Sequence, residues 1–254
     1  MISLLLSLAC TDPVQLSVDV VDAFGQPLAE AQVKAEGTTE PVLTDAAGHV
    51  ELPVVADTTV NLMVGKEGYI HEYQSQVVPV EGQPDPAKFV LFPEPGSPGF
   101  FAVGPEAYLH LQAAPIKTIA TEMSTWHGLE NIPTVNLKQD GDRPLRLMFN
   151  STLRVQELKR QELKLSRLEF KETAKVTGVF GESDVDLKLW VADSDIAYEL
   201  KGTQSQDDYL LLVSSKLEPG IYAFHAQSIL HSTEAEALAK LPKEMQVAYP
   251  FEVK

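Results

Sequence analysis

The sequence predicts an all-β protein of two β-sandwich domains in tandem, with one short helix near the C-terminus. Apolar and polar residues alternate with the two-residue period of half-buried strands over most of the chain, and turn residues separate the alternating runs. Residues 93–99 contain three prolines and two glycines and interrupt this pattern. We therefore expect one domain over residues 14–93, a Pro/Gly linker at 94–99 and a second domain over 100–254.

The first domain shows the alternation most clearly. Leu16, Val18 and Val20 alternate with polar residues, and the runs 50–54 and 60–64 repeat the pattern. The segments Asp22–Gly25 and Asp45–Gly48 have the composition of turns between strands. About seven strands fit into these 80 residues, and no helical period occurs, so the pattern indicates a small sandwich.

Residues 21–69 also carry a recurring set of strand and turn residues. The set comprises Val21-Asp22, Gly25, Pro27-Leu28, Ala31, Val33, Thr44-Asp45, Gly48, Lys66 and Gly68-Tyr69. It resembles the carboxypeptidase regulatory-like domain, a transthyretin-like sandwich of seven strands. The resemblance implies a non-catalytic module that serves as a rigid spacer or docking unit on secreted or envelope proteins. It provides no catalytic residues to transfer to this chain.

The second domain contains a turn that points to its architecture. The segment Leu217–Tyr222 is similar to the Leu-x-Pro-Gly-x-Tyr turn of many immunoglobulin-like sandwiches, in which a tyrosine hydroxyl binds nearby backbone. We therefore expect an immunoglobulin-like sandwich in which Tyr222 and Phe224 share one face and His225 lies on the other. Thr233 and Glu236 have the spacing of a capping box and Pro242 follows, which predicts a short helix from Thr233 to Leu241.

The chain begins with an apolar run that ends at its only cysteine, Met1-Ile2-Ser3-Leu4-Leu5-Leu6-Ser7-Leu8-Ala9-Cys10, followed by Thr11-Asp12-Pro13. This run resembles a bacterial lipoprotein signal peptide with its lipobox, although that family prefers an aliphatic residue at Ser7 and a small one at Leu8. The resemblance implies cleavage before Cys10, a lipid on Cys10, and a signal peptide and tether over residues 1–13. The alternative is a buried first strand in which the cysteine is a small core residue.

A lipid on Cys10 would fix the location of the protein. About four residues would separate the lipid from the first strand, or about 14 Å at full extension, so the folded part would lie close to the membrane. The expected location is the bacterial cell envelope. Thr11 favours the outer membrane, because sorting rules in some bacteria use aspartate at that position to retain lipoproteins in the inner membrane.

Composition and motifs exclude several classes of function. The chain has 20 basic and 36 acidic residues, and a net charge of −16 repels nucleic acid. One cysteine allows neither an intramolecular disulfide nor a cysteine-based metal cluster. The six histidines show no i, i+4 pair, and GxSxG, SxxK and phosphate-loop patterns do not occur. We therefore expect no catalysis, no cofactor and no metal site.

A few residues are candidates for binding. Trp126 and Trp190 could line a sugar-binding face, and Trp190 is out of phase with the leucines of its predicted strand. Asp193 and Asp195 are weak calcium candidates. The first hypothesis is a lipid-anchored module that docks a protein or an envelope polymer. The alternatives are a carbohydrate- or peptidoglycan-binding module and, less favoured, a hydrolase or an accessory subunit of an enzyme.

Overall fold

The computed structural model describes residues 13–132, 135–139, 144–151, 162–178, 181–227 and 229–254. Strands dominate both of the compact units into which the chain divides at Glu94 and Pro95, which confirms the all-β fold class. Residues 94–98 belong to no strand. None of the helices in the described part of the chain has the length and apolar character needed to cross a membrane.

The first unit is a sandwich of two sheets. Its strands are β1 (Pro13–Asp22), β2 (Gln32–Ala35), β3 (Val42–Leu43), β4 (His49–Val55), β5 (Thr58–Gly65), β6 (Glu72–Val78) and β7 (Ala87–Leu91). One sheet has the order β4-β1-β7 and the other the order β3-β2-β5-β6. All pairs are antiparallel except β1 with β7. The described strands therefore match the predicted count of about seven.

The alternation in the sequence accounts for the core of this unit. Leu16, Val18 and Val20 of β1 are fully buried, and the apolar positions of β4, β5 and β7 enter the same cluster. Because side chains of a strand alternate between its two faces, one face of each strand packs inward while the other stays in contact with solvent.

Aspartate and glycine form the tight turns of the first unit as predicted. One carboxylate oxygen of Asp22 accepts backbone N–H bonds from Phe24 and Gln26 at 2.9 and 2.8 Å. Asp45 binds the N–H groups of Ala47 and His49 in the same way, at 2.8 and 2.9 Å. These bonds satisfy backbone groups that the strands do not use.

The second unit consists of thirteen strands within its described residues. They are β8 (Gly99–Val103), β9 (Tyr108–His110), β10 (Ala114–Pro115), β11 (Lys117–Ala120), β12 (Thr125–Leu129), β13 (Asn136–Leu137), β14 (Leu145–Asn150), β15 (Lys164–Gly178), β16 (Gly181–Asp195), β17 (Glu199–Gly202), β18 (Asp208–Val213), β19 (Gly220–His225) and β20 (Val247–Val253). A five-stranded sheet has the order β17-β18-β14-β8-β9. An eight-stranded sheet has the order β10-β20-β19-β15-β16-β12-β11, with β13 beside β20.

Around β19 and β20, the eight-stranded sheet packs against apolar residues on both faces. Its inner face, with Tyr222, Phe224 and Phe251, packs with apolar residues of the five-stranded sheet to form the main core. Its opposite face forms a second cluster with Ile229 and Leu230. Residues that alternate along β19 therefore enter two different clusters, which explains how this strand is buried throughout its second half.

The predicted tyrosine contact is present at the start of β19. The Tyr222 hydroxyl donates a hydrogen bond to the carbonyl oxygen of Glu218 at 2.7 Å, and the Tyr222 side chain is buried. The turn Leu217–Tyr222 therefore has the backbone contact that its similarity to immunoglobulin-like turns implied.

The C-terminal helical region is shorter than predicted. Three short 3-10 helices cover Ile229–His231, Leu238–Lys240 and Lys243–Met245, and only the second lies within the predicted helix Thr233–Leu241. Ala237 precedes this single turn and provides no side-chain cap. The hydroxyl of Ser232 instead accepts the N–H of Glu234 at 3.2 Å, which stabilises a local turn in place of the predicted capping box.

Candidate functional site

The proposed lipid attachment site, Cys10, lies outside the described residues. The described residues begin at Pro13, which is the first residue of β1. β1 is the middle strand of its three-stranded sheet, and it pairs with β4 from Pro13 to Asp19 and with β7 from Val18 to Asp22.

The two predicted ligand-binding tryptophans lie on opposite faces of the eight-stranded sheet. Trp190 of β16 is opposite Leu129 of β12, and directly opposite residues in a sheet share a face. Trp126 precedes Leu129 by three positions in β12, so its side chain projects from the other face. The two indoles therefore do not form one aromatic platform.

Trp190 has a different aromatic neighbour. Phe170 is opposite Trp190 in the β15–β16 pair, and the two ring centroids are 5.5 Å apart with a tilt of 56°. Phe170 is 47% exposed, whereas the half-buried Trp190 also packs against the second apolar cluster. These two rings form a partly exposed aromatic pair on one sheet face.

A polar cluster lies where β15 begins and β16 ends, four residues before Phe170 in β15. We call it the Ser166 cluster, and it comprises Lys164, Ser166, Asp195, His225 and His231. Ser166 of β15 pairs directly with Asp195 of β16, Lys164 pairs with His225 of β19, and His231 ends the first 3-10 helix. Three strands and one 3-10 helix thus bring the five side chains together.

Hydrogen bonds in the Ser166 cluster converge on the serine hydroxyl. Ser166 donates to Oδ1 of Asp195 at 2.9 Å, and Nε2 of His225 and Nε2 of His231 lie 2.9 and 3.1 Å from Ser166 Oγ. Nε2 of His231 is also 2.7 Å from Oδ1 of Asp195, and Lys164 Nζ is 3.5 Å from Oδ2. Since the hydroxyl proton goes to Asp195, the geometry favours an Nε2–H on each imidazole.

Burial makes His225 a neutral imidazole. It is almost fully buried, and no described group forms a hydrogen bond with its Nδ1. Burial, and after it the neighbouring positive charge of His231, lower the pKa of His225 to about 4, and the Ala226 backbone and Asp195 offset only part of this shift. Burial raises the pKa of Asp195, but hydrogen bonds from Ser166 and His231 outweigh this effect and leave the pKa below its ordinary value.

The Ser166 cluster contains the residue types of a hydrolytic triad, but its geometry differs. In a triad, one histidine nitrogen faces the serine and the other faces the carboxylate. Here the same nitrogen of His231 faces both Ser166 and Asp195, and Ser166 itself binds the carboxylate. Ser166 is also fully buried, so a substrate carbonyl has no access to its hydroxyl. The cluster as described joins strands and does not present a nucleophile.

The calcium candidates have other contacts. Both carboxylate oxygens of Asp195 face donors within the Ser166 cluster, and Asp193 is exposed and accepts a bond from Ser194 at 3.3 Å. In the part of the chain that the structure describes, no three His, Cys, Asp or Glu side chains are placed to hold a metal ion.

The sequence did not reveal the Ser166 cluster. Ser166 lies 29 residues from Asp195 and 59 from His225, and no local motif joins them. The sequence predicted one relevant feature, which is that His225 lies on the face of its strand opposite to Tyr222 and Phe224. The prediction of its face is correct. The burial of His225 depends on the chain segment that follows β19, which alternation along the strand does not predict.

Comparisons with known proteins agree with the architecture of the first unit. The first unit is a seven-stranded β-sandwich, and the sequence of residues 15–92 matches the carboxypeptidase regulatory-like domain. This match confirms the resemblance found in the sequence. No curated protein matches the chain.

Two solved structures show weak similarity. One is BcpA, the major pilin subunit of Bacillus cereus, with 8% identity, a TM-score of 0.24, and coverage of 95% of this chain and 69% of the pilin. The other is "a putative carbohydrate binding protein" from Bacteroides uniformis, with 10% identity, a TM-score of 0.19, and coverage of 84% of this chain and 87% of that chain. With both TM-scores below 0.5, neither similarity bears on function.

Proposed function

We propose that the chain is a non-catalytic lipoprotein of the bacterial cell envelope, anchored through Cys10, that acts as a structural or protein-docking module. The observation that carries this proposal is the distance from Cys10 to the fold. Only Thr11 and Asp12 separate Cys10 from Pro13, the first residue of β1. Three Cα steps span about 11 Å, so a lipid on Cys10 would hold the first unit against the bilayer surface.

The position of β1 suits an anchored strand. β1 pairs with β4 over seven residues and with β7 over five. Any pull on the N-terminus is therefore shared by two strand pairs and by the buried side chains Leu16, Val18 and Val20. A domain whose anchored strand is central would stay folded under load, which supports a spacer or docking role.

The remaining features support binding more than catalysis. The hydroxyl of Ser166 in the Ser166 cluster is buried, and the similarity of residues 15–92 to the carboxypeptidase regulatory-like domain supports a non-catalytic module. The net charge of −16 disfavours nucleic acid and anionic lipid as partners. Membrane contact would therefore depend on the lipid, and the outer membrane is the proposed location.

Mass spectrometry and fractionation test the anchor. We expect the N-terminal peptide of the mature protein to begin at Cys10 and to carry the mass of an acylated cysteine. Cys10→Ser should move the protein out of the membrane fraction, whereas the adjacent change Thr11→Ser should leave it there. An intact N-terminus with a free thiol, or a Cys10→Ser protein that stays with the membrane, would refute the proposal.

The Phe170–Trp190 pair favours one second candidate, a carbohydrate- or peptidoglycan-binding module. Aromatic rings that are partly exposed on a sheet can stack on the apolar face of a sugar. This candidate is compatible with the lipid anchor, because an anchored module could hold a polymer of the envelope.

A further inference from the structure

The strand β6 ends its sheet and carries exposed apolar side chains. It is the last strand in the order β3-β2-β5-β6, and its register with β5 is regular from Val78 to Glu72. Tyr73 is 53% exposed and Val77 is 69% exposed, and both are among the most exposed large apolar residues of the described chain. The strand contains no proline, lysine or arginine. The edge of β6 therefore lacks proline and lysine, which are among the residues that usually prevent an edge strand from pairing with another chain.

The two faces of β6 are chemically distinct. Tyr73, Ser75 and Val77 are opposite Met63, Asn61 and Thr59 of β5 and lie on the outer face of the sheet. The intervening residues Gln74, Gln76 and Val78 lie on the face toward the core, where Val78 is buried. A strand added to this edge must keep this alternation, because a shift by one residue would reverse its faces.

A second copy of β6 satisfies this requirement in one register. In an antiparallel pair centred on Ser75, each Tyr73 is opposite Val77 of the second copy, and each Gln74 is opposite Gln76. Ser75 lies opposite itself on the two-fold axis. This register uses all seven residues of β6 and keeps outer-face residues opposite outer-face residues. Registers shifted by two residues also keep the faces but shorten the overlap.

The side-chain pairs in this register are favourable. Tyrosine opposite valine is an aromatic and β-branched pair. The Gln76 amide nitrogen donates to the Asp85 carbonyl oxygen of its own chain at 3.3 Å, and its Oε1 can accept a hydrogen bond from Gln74 of the second copy. The single charge of the strand, Glu72, lies opposite Val78 and not opposite its own copy. Two chains of net charge −16 repel each other overall, so an edge without opposed like charges is the kind of surface through which they can associate.

We propose that β6 is a self-association edge, through which two copies of this chain join their four-stranded sheets into one continuous sheet about a two-fold axis at Ser75. The interface is isologous, so each copy supplies the same strand and the contact closes at a dimer. This inference is independent of the proposed lipid anchor.

Disulfide trapping tests the register. The experiment uses the full chain with Cys10→Ser, so that an introduced cysteine is the only thiol. Ser75→Cys places two cysteines directly opposite, at a Cα separation of about 4.5 to 5.5 Å, within the range that a disulfide bridges. Gln74→Cys is the matched control, since its two copies would be offset by two residues and more than about 7 Å apart.

We expect mild oxidation to yield at least about tenfold more covalent dimer from Ser75→Cys than from Gln74→Cys. Equal yields from the two variants, or no dimer from either, would overturn the proposed register.

Sedimentation measurements on the same background test the dimer itself. Val77→Lys places a charge opposite Tyr73 of the second copy and should weaken dimerisation at least about tenfold. Val80→Lys adds the same charge at an equally exposed residue outside the strand and should leave the dimer intact. A monomer at all concentrations up to about 100 µM would overturn the proposal. So would equal weakening by both lysine variants, or an undiminished dimer with Val77→Lys.

Discussion

Tyr222 and Glu218 lie at the two ends of the turn that leads into β19, and the hydroxyl of the first donates a hydrogen bond to the carbonyl oxygen of the second at 2.7 Å. The Tyr222 ring also stacks on Phe251, with centroids 5.8 Å apart. One side chain therefore fixes the turn and fills the core of the second unit.

Tyr222→Phe separates these two roles. The phenylalanine keeps the ring in the core and loses only the hydrogen bond to the Glu218 carbonyl oxygen. We expect the free energy of unfolding to fall by about 1 kcal/mol, measured by urea denaturation. Tyr73→Phe, at an exposed tyrosine of the first unit, is the control and should change stability little. Equal effects of the two changes would contradict a structural role for the Tyr222 hydroxyl.

Gly48 ends the Asp45 turn, and its replacement tests a close backbone contact. Its φ is +74°, and an added Cβ would clash with the Val20 carbonyl oxygen and lie 3.0 Å from the Leu28 nitrogen. Gly25 has a similar φ of +84° but no atom within 4 Å of such a Cβ. Gly25→Ala should therefore cost only the strain of the left-handed conformation, about 1 to 2 kcal/mol.

Gly48→Ala should cost more than Gly25→Ala, by at least about 1 kcal/mol, because the strands β1 and β4 must move apart to admit the methyl group. Thermal or urea unfolding of both variants measures this difference directly. A Gly48→Ala protein as stable as the Gly25→Ala protein would show that the backbone contact at Val20 is looser than the structure indicates.

His225 makes the stability of the second unit depend on pH. Its pKa is about 4 in the folded protein and about 6.5 in the unfolded chain, so folding favours the neutral imidazole. The stabilisation is complete above pH 6.5 and is lost as the pH falls toward 4, where the loss reaches about 3 kcal/mol. The charged and titratable groups that face His225 are His231, Asp195 and Lys164. His231 and Lys164 also lower the pKa of His225, whereas Asp195 raises it.

The variant His225→Gln tests this pH dependence. An amide can keep the bond to Ser166 but cannot be protonated in this range. We expect the wild-type protein to lose more stability than His225→Gln between pH 7 and pH 4.5, measured by urea denaturation at both values. A parallel loss in the wild type and His225→Gln would contradict the burial of a neutral His225.

Local patterns in the sequence predicted those parts of the fold that depend on short-range rules. The alternation of β1 identified Leu16, Val18 and Val20 as core residues, and the Asp and Gly residues identified the turns. These features follow from strand geometry and from local hydrogen bonds, which a few neighbouring residues determine.

Features that depend on long-range pairing were not predictable from one sequence. The helix expected at Thr233–Leu241 is a single 3-10 turn, because packing against the eight-stranded sheet outweighs a local capping pattern. The Ser166 cluster depends on the order β19-β15-β16, and strand order does not follow from alternation. The opposite faces of Trp126 and Trp190 likewise depend on the register of β12 with β16.

Because the pairing of β12 with β16 puts Trp126 and Trp190 on opposite faces of the sheet, Trp126 provides a matched control for a test of carbohydrate binding at Trp190. If the Phe170–Trp190 pair binds a sugar ring, Trp190→Ala should weaken binding to glycans or isolated peptidoglycan at least about tenfold, equivalent to about 1.4 kcal/mol. Trp126→Ala removes an indole of similar burial from the other face of the sheet and should leave binding unchanged. Glycan-array screening followed by titration with the best ligand measures both. Absence of binding by the wild-type protein, or equal losses in the two variants, would eliminate the Phe170–Trp190 pair as a sugar site.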